Sequence, residues 1–193
     1  MKTLFLLLSL LPAIAFAEGP PKSVVLDEAT LAKLREIAFQ AAREGDLKTL
    51  EEYFKLNRPI NETNGRGDTL LIVAAYSGEA KAVELILKQP KAEVDARNRM
   101  GLTALTAAAY KGHVDIATQL VKSKCDVDVA NESGQTALMF AAMAGRTDMV
   151  KYLLSQGAKA DAKDRSGNTP LSLASAQGAK DVMALLERTT KKK

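Results

Sequence analysis

The phrase Ala-Ala-x-x-Gly returns along this chain at an almost constant interval, and few folds tolerate that. It reads Ala74-Ala75-Tyr76-Ser77-Gly78, Ala108-Ala109-Tyr110-Lys111-Gly112 and Ala141-Ala142-Met143-Ala144-Gly145. Degenerate copies stand at Ala41-Ala42-Arg43-Glu44-Gly45 and Ala174-Ser175-Ala176-Gln177-Gly178. The closing glycines at 45, 78, 112, 145 and 178 are 33, 34, 33 and 33 residues apart. A globule with one centre has no reason to keep such a beat. Stacked copies of a small unit do, because each buries its apolar face only against its neighbours. Stacks present extended surfaces, so the expected task is to hold another macromolecule.

A second glycine anchors each unit at Gly67, Gly101, Gly134 and Gly167. Thr69, Thr103, Thr136 or Thr169 follows two residues later, and Leu71, Leu105, Leu138 or Leu171 two beyond that. The pattern is Gly-x-Thr-x-Leu-x-x-Ala. Glycine suits a tight turn, threonine caps the helix after it, and Leu and Ala at helical spacing pack that helix inward. A longer helix is expected after each Ala-Ala-x-x-Gly, as over 114–122 and 147–155. Its apolar members are Val83, Ile86, Leu87; Ile116, Leu120, Val121; Val150, Leu153, Leu154; Val182, Leu185, Leu186. Asn57 and Gly157 take left-handed positions after their helices. The extra residue of the 34-residue interval is placed near Lys88-Gln89-Pro90-Lys91, where proline stops the helix. With 47% hydrophobic residues, only 5% aromatic and no Trp, the composition suits packed Ala and Leu helices better than aromatic-rich strands.

Gly167-Asn168-Thr169-Pro170-Leu171-Ser172-Leu173-Ala174 resembles the ankyrin-repeat signature, and Gly112-His113 matches that family's Gly-His step. The resemblance covers residues 27–188. It implies an all-α ankyrin-repeat solenoid of about five helix–loop–helix units, 27–61, 62–95, 96–128, 129–161 and 162–188, with projecting β-turn loops. The family's Pro survives only as Pro170, and its His after the Leu is replaced by Ile72, Thr106, Met139 and Ser172, losses expected to weaken individual turns. The first unit lacks the Gly-x-Thr signature and offers Lys33, Glu36, Lys48 and Glu51 to water, as an end cap should.

Little in the chain points to catalysis. His113 is the sole histidine, at a scaffold position of the resemblance, so multi-histidine metal sites have no ligands. Cys125 is the sole cysteine and stands where the next unit has Ala158, the place of a small buried residue. Asp95, Asp128 and Asp161 recur once per unit, which is explained by local turn hydrogen bonding. No phosphate-binding glycine loop is present. No catalytic residue, metal or cofactor is expected.

In the first residues, Lys2, an apolar run from Leu4 to Leu11 and Ala15-Phe16-Ala17 form the pattern of a secretory leader cleaved after residue 17. A linker over 18–26 precedes the repeats, and a basic tail, 189–193, follows them. The run falls short of the roughly 20 apolar residues that span a membrane, so the mature protein is expected in the periplasm without a span. The formal charge of +4, reduced to +3 without Lys2, does not suggest nucleic acid.

The resemblance places the binding face on the projecting loops and the short inner helices. The first repeats there offer Arg66, Asp68, Tyr76, Arg97, Arg99, Met100 and Leu102. Further along stand Tyr110, Lys111, Glu132, Gln135, Met143 and Arg165. Tyr76, Tyr110 and Met143 hold equivalent places and are expected to form an exposed stripe, with the cationic tips favouring an acidic partner. Taken with the leader, the chain is similar to small exported bacterial ankyrin proteins that shield a predatory bacterium from its own wall-cutting enzymes. That resemblance implies a protein partner, a periplasmic peptidoglycan endopeptidase of the penicillin-binding-protein type, which the protein inhibits. The alternatives are support of a periplasmic antioxidant enzyme such as catalase, or a secreted effector acting on a host protein. The free protein is expected to be a monomer.

Overall fold

Ten helices form among the described residues, in five pairs, and the first helix of each of the last four pairs is opened by a threonine. The computed structural model describes residues 27–190. The leader, the linker up to residue 26 and Lys191-Lys192-Lys193 lie outside the described residues. The pairs are α1 (Glu28–Glu44) with α2 (Leu47–Lys55), α3 (Leu70–Ser77) with α4 (Ala80–Leu87), and α5 (Ala104–Lys111) with α6 (Val114–Lys122). The last two are α7 (Ala137–Met143) with α8 (Thr147–Ser155), and α9 (Pro170–Ala176) with α10 (Lys180–Thr190). α10 extends two residues past the unit boundary expected at 188. Among the described residues no strand forms; the one isolated bridge pairs Thr63 with Thr69.

Each short helix is delimited by its own sequence. The hydroxyls of Thr69, Thr103, Thr136 and Thr169 accept the N–H three residues on. Two of the four replacements expected to weaken the turns instead reinforce them. The hydroxyl oxygens of Thr106 and Ser172 in turn accept the backbone N–H of Thr103 and Thr169, at 2.8 and 2.9 Å, closing reciprocal caps. α3 and α5 end at Gly78 and Gly112, both with φ of 87°, where the left-handed turn lets the glycine N–H reach back to Ala74 and Ala108.

Helices of seven or eight residues are unstable alone, so stacking must hold them. Ala74, Ala75, Ala108, Ala109, Ala141 and Ala142 are fully buried. These small side chains let α1, α3, α5, α7 and α9 pack closely in series. The outer helices are kept further apart by Val83, Ile116, Leu120, Val150 and Leu153, which are also fully buried. A stack tighter on one side than the other bends toward the tight side. The last apolar member of α4, α6 and α8, Leu87, Val121 or Leu154, is only partly buried, whereas that of α10, Leu186, is fully buried.

Contacts from one repeat to the next hold the series in register. Asp95 accepts the Asp126 N–H at 3.1 Å, and Asp128 accepts the Lys159 N–H at 3.1 Å. This corrects the expectation of local turn bonding: these carboxylates cap the neighbouring repeat, 31 residues on. His113 lies against Gly78, where an added Cβ would meet the imidazole at 2.8 Å. Its role is thus packing across repeats. Asn57, Lys91, Lys124 and Gly157 all have positive φ after their outer helices. Lys91 follows Gly78 by thirteen residues, whereas Lys124 follows Gly112 by twelve, which puts the extra residue between Leu87 and Lys91 as expected.

The first pair differs. α1 runs for 17 residues, and its outward Lys33 and Glu36, like Lys48 and Glu51 of α2, are exposed. Beneath them Tyr53, 1% exposed, donates its hydroxyl to Glu62 at 2.6 Å. The other Glu62 oxygen accepts from Arg58 at 2.6 Å, and Arg35 stands 3.6 Å from the oxygen that Tyr53 uses.

Candidate functional site

Four loops carry the tips, and each is bent by one side chain. The Oδ1 of Asn64 accepts the N–H groups of Arg66 and Asp68, and that of Asn98 accepts those of Met100 and Leu102. Asn131 does the same for Ser133 and Gln135, and Asp164 for Ser166 and Asn168. An Asx side chain held this way substitutes for backbone turn bonds and stiffens the tip. The Asp164 carboxyl lies below its ordinary range because Asn168 donates to it from side chain and backbone. Neighbouring loops also join, through Arg99 N–H to the Arg66 carbonyl and Arg165 N–H to that of Ser133.

Bracing of this kind removes several residues from the exposed set expected from sequence. Asp68 is buried, and its oxygens accept from Asn98 at 2.7 Å, Asn64 at 3.1 Å and Arg66 at 3.0 Å. Burial pushes its carboxyl up, but the donors from Asn98, Asn64 and Arg66 together bring it below the usual range. Asp68 is therefore a loop brace and not an open contact. Arg97 spends a guanidinium N–H on the Ala130 carbonyl at 3.0 Å, so its charge also ties repeats together. Gln135 is half-buried and accepts from Asn131 at 3.2 Å.

Much of what remains open converges on one groove of about 840 Å³. Of the residues singled out from sequence, Arg66, Asp68, Tyr76, Arg99, Met100, Leu102 and Tyr110 line it. Lys111 stands beside them, its ammonium 5.0 Å from the centre of the Tyr76 ring. Glu132 and Arg165 are exposed but lie outside the groove, as do Arg97 and Gln135. Met143 is half-buried and does not line it, so the expected stripe stops after Tyr110. Phe140, on the same short helix as Met143, closes the groove instead. Tyr76 is 50% exposed, Met100 64% and Tyr110 41%, and these are the exposed large apolar side chains among the described residues.

Sequence reasoning passed over Arg43, Ile72, Val73 and Phe140, all in the lining. A signal existed for two of them. Arg43 occupies in the first Ala-Ala-x-x-Gly the place of Tyr76 and Tyr110, and Phe140 occupies the place of Val73 and Ala107. Arg43 stands in the end-cap unit and Phe140 at an unassigned place of the Gly-x-Thr-x-Leu-x-x-Ala pattern, so the pattern marked neither.

Chemistry at the one thiol is unfavourable. Cys125 is buried, and burial, then the charges of Asp95 and Asp126, push its pKa up to about 12, opposite to what a nucleophilic cysteine needs. Iodoacetamide at about pH 8 is expected to leave the native thiol intact and to label it only in denaturant. Because the folded thiol holds its proton more tightly, its contribution to stability is complete below its ordinary value near 9 and is lost as pH rises toward 12. Replacement by Ala, the residue at the equivalent place in the next repeat, is expected to cost less than about 1 kcal/mol by urea titration. Among the described residues no cluster of His, Cys, Asp and Glu could hold a metal ion, and no helix is long and apolar enough to cross a membrane.

Comparison with known proteins agrees with this architecture. The family model for ankyrin repeats (3 copies) matches residues 38–131 and again 119–193. Among curated proteins, the chain is 29% identical over 84 residues to putative glutaminase 2 of Caenorhabditis elegans, covering 44% of this chain and 14% of that protein. It is 37% identical over 57 residues to alpha-latrocrustotoxin-Lt1a of Latrodectus tredecimguttatus, covering 30% of this chain and 4% of the toxin. The chain thus spans a small part of the length of either relative.

Proposed function

The chain belongs to the ankyrin-repeat family, a family of protein–protein interaction modules, and from that premise we propose that it is a non-enzymatic inhibitor that grips one protein partner. The observation that carries the reading is the groove. Its Tyr76, Tyr110 and Met100 are large apolar side chains left open to water, the kind that anchor interfaces, and arginines border them. A stiff scaffold binds at low entropic cost, since its loops are ordered before the partner arrives. Inhibition needs no catalytic group on this chain. A solenoid laid across a hydrolase cleft excludes a polymeric substrate by bulk.

The partner in this reading is a periplasmic peptidoglycan endopeptidase of the penicillin-binding-protein type, which the protein restrains to protect the cell that makes it. The leader pattern in residues 1–17 supports export, and the similarity to exported self-protecting ankyrin proteins supports the target. The test is affinity capture from periplasmic extract with identification by mass spectrometry, followed by an assay of cross-link cleavage in isolated peptidoglycan. An endopeptidase should be retained and its cleavage should stop at equimolar protein. Retention of a catalase instead, a partner found only outside the producing cell, or undiminished cleavage would reject the reading.

A further inference from the structure

We propose that the groove takes an extended acidic segment of the partner, carrying one aromatic or long aliphatic side chain that seats against Tyr76 and Tyr110. This deepens the protein-binding reading and rests on it. Three observations carry it, and the first is apolar character. The floor is formed by Ile72, Val73, Leu102 and Phe140, and the three exposed large apolar side chains of the described residues all lie along it. Such a surface stays wet in the free protein and gains by covering, at about 25 cal/mol per Å² of apolar area.

The second is uncompensated charge. Arg43 and Arg99 line the groove and Lys111 borders it, while Arg66 is paired with the one carboxylate in the lining, Asp68, which is buried with its oxygens already engaged. Among the described residues neither Arg99 nor Lys111 enters an ion pair, and Arg43 meets only the Gln40 amide. Cations left in this state at an apolar cleft attract carboxylates and repel basic chains.

The third is shape. The lining runs from Arg43 on α1 to Phe140 on α7, across four stacked helices. At 8–10 Å between helix axes that is about 25–30 Å, the length of roughly eight extended residues. A single-stranded nucleic acid would also answer to cations and tyrosines. However, the floor is aliphatic, and one of the two tyrosine faces is already occupied by Lys111.

The probe is a fluorescein-labelled acidic peptide of about ten residues, long enough to span the groove, with Leu-Phe-Asp-Leu at its centre. Controls carry Lys for every acidic residue, or Ser for every apolar one, and an oligothymidine of similar length covers nucleic acid. Anisotropy is read with the full chain at about 50 mM and about 500 mM salt. The acidic apolar peptide should bind, and bind more weakly at high salt. Arg99→Glu with Lys111→Glu should weaken it about tenfold or more at low salt, and Tyr110→Ala about tenfold at either salt. Glu187→Ala, exposed on α10 and away from the groove, should bind as the parent does, and melting by circular dichroism should show all variants folded. Equal binding of the lysine or serine peptide, tighter binding of oligothymidine, or parental binding by both groove variants would overturn the proposal. Should the peptide bind while no endopeptidase is captured, the inhibitor reading falls and the groove assignment stands. Should an endopeptidase be captured while the peptide fails to bind, only the groove assignment falls.

Discussion

The chain carrying Gly67→Ala is expected to unfold about 4 kcal/mol more readily than the parent, enough to leave a marginal solenoid partly open. Two costs combine. At φ of 81° an alanine sits in the left-handed region, which disfavours L-residues by about 1–2 kcal/mol. Its Cβ would also lie 2.8 Å from the Arg99 amide nitrogen and 2.9 Å from Arg99 Cγ. Backbone cannot yield as a flexible side chain can, so the loops must separate, at a further cost of about 1–3 kcal/mol. Gly157→Ala is the control. It has φ of 88° but nothing within 4 Å of a Cβ, so it should lose only about 1–2 kcal/mol. Urea denaturation of both variants checks the difference, and equal losses would show that contact between neighbouring loops contributes little.

Glu62→Ala is expected to cost about 3 kcal/mol and to loosen the first repeat ahead of the others. The Glu62 side chain is 15% exposed; it accepts from Tyr53 and Arg58 and forms an ion pair with Arg35 at 3.6 Å. Removing it leaves a buried phenol without its acceptor and two guanidiniums without their counter-charge. Hydrogen exchange should show α1 and α2 losing protection before α5 and α7. The same cluster sets a response to alkali. Burial, then the hydrogen bond and charge of Glu62, push the Tyr53 phenol far above its ordinary value near 10. The folded state therefore holds this proton more tightly than the unfolded state. The resulting stability is complete below about pH 10 and is lost as pH rises beyond it. Tyr53→Phe should flatten that alkaline slope, and an unchanged slope would assign it to other groups.

Much of the repeat could be read from residues alone, for a physical reason visible in particular bonds. Thr103 caps α5 through an N–H three residues away, and Gly112 ends it through a carbonyl four residues back. Such interactions close within one turn of chain, so residue type and spacing suffice to find them. Sequence reading also found Tyr76, Met100 and Tyr110, because exposed aromatic and thioether residues stand out within an Ala-rich pattern. It failed where a side chain serves a distant repeat. Asp68 looked like an open acid at a loop tip, yet Asn98, 30 residues on, buries and binds it. Arg97 looked like a free cation, yet its partner is the carbonyl of Ala130. The Asx residues Asn64, Asn98, Asn131 and Asp164 recur three places before each loop glycine, but an asparagine is so common in loops that recurrence alone did not mark it as the bracket of the tip.

The local unit, its caps and the five-fold stacking follow from the chain's own periodicity, since each is built from bonds spanning a few residues or from an apolar face that must find its copy. Tertiary structure alone decided which tips stay open. That choice depends on whether the next repeat, some 30 residues away in sequence and one helix diameter away in space, supplies a donor, a carbonyl or nothing. Asp68 and Arg97 found partners there. Tyr76, Met100, Arg99 and Tyr110 kept a side exposed, and the groove is made of what was left over.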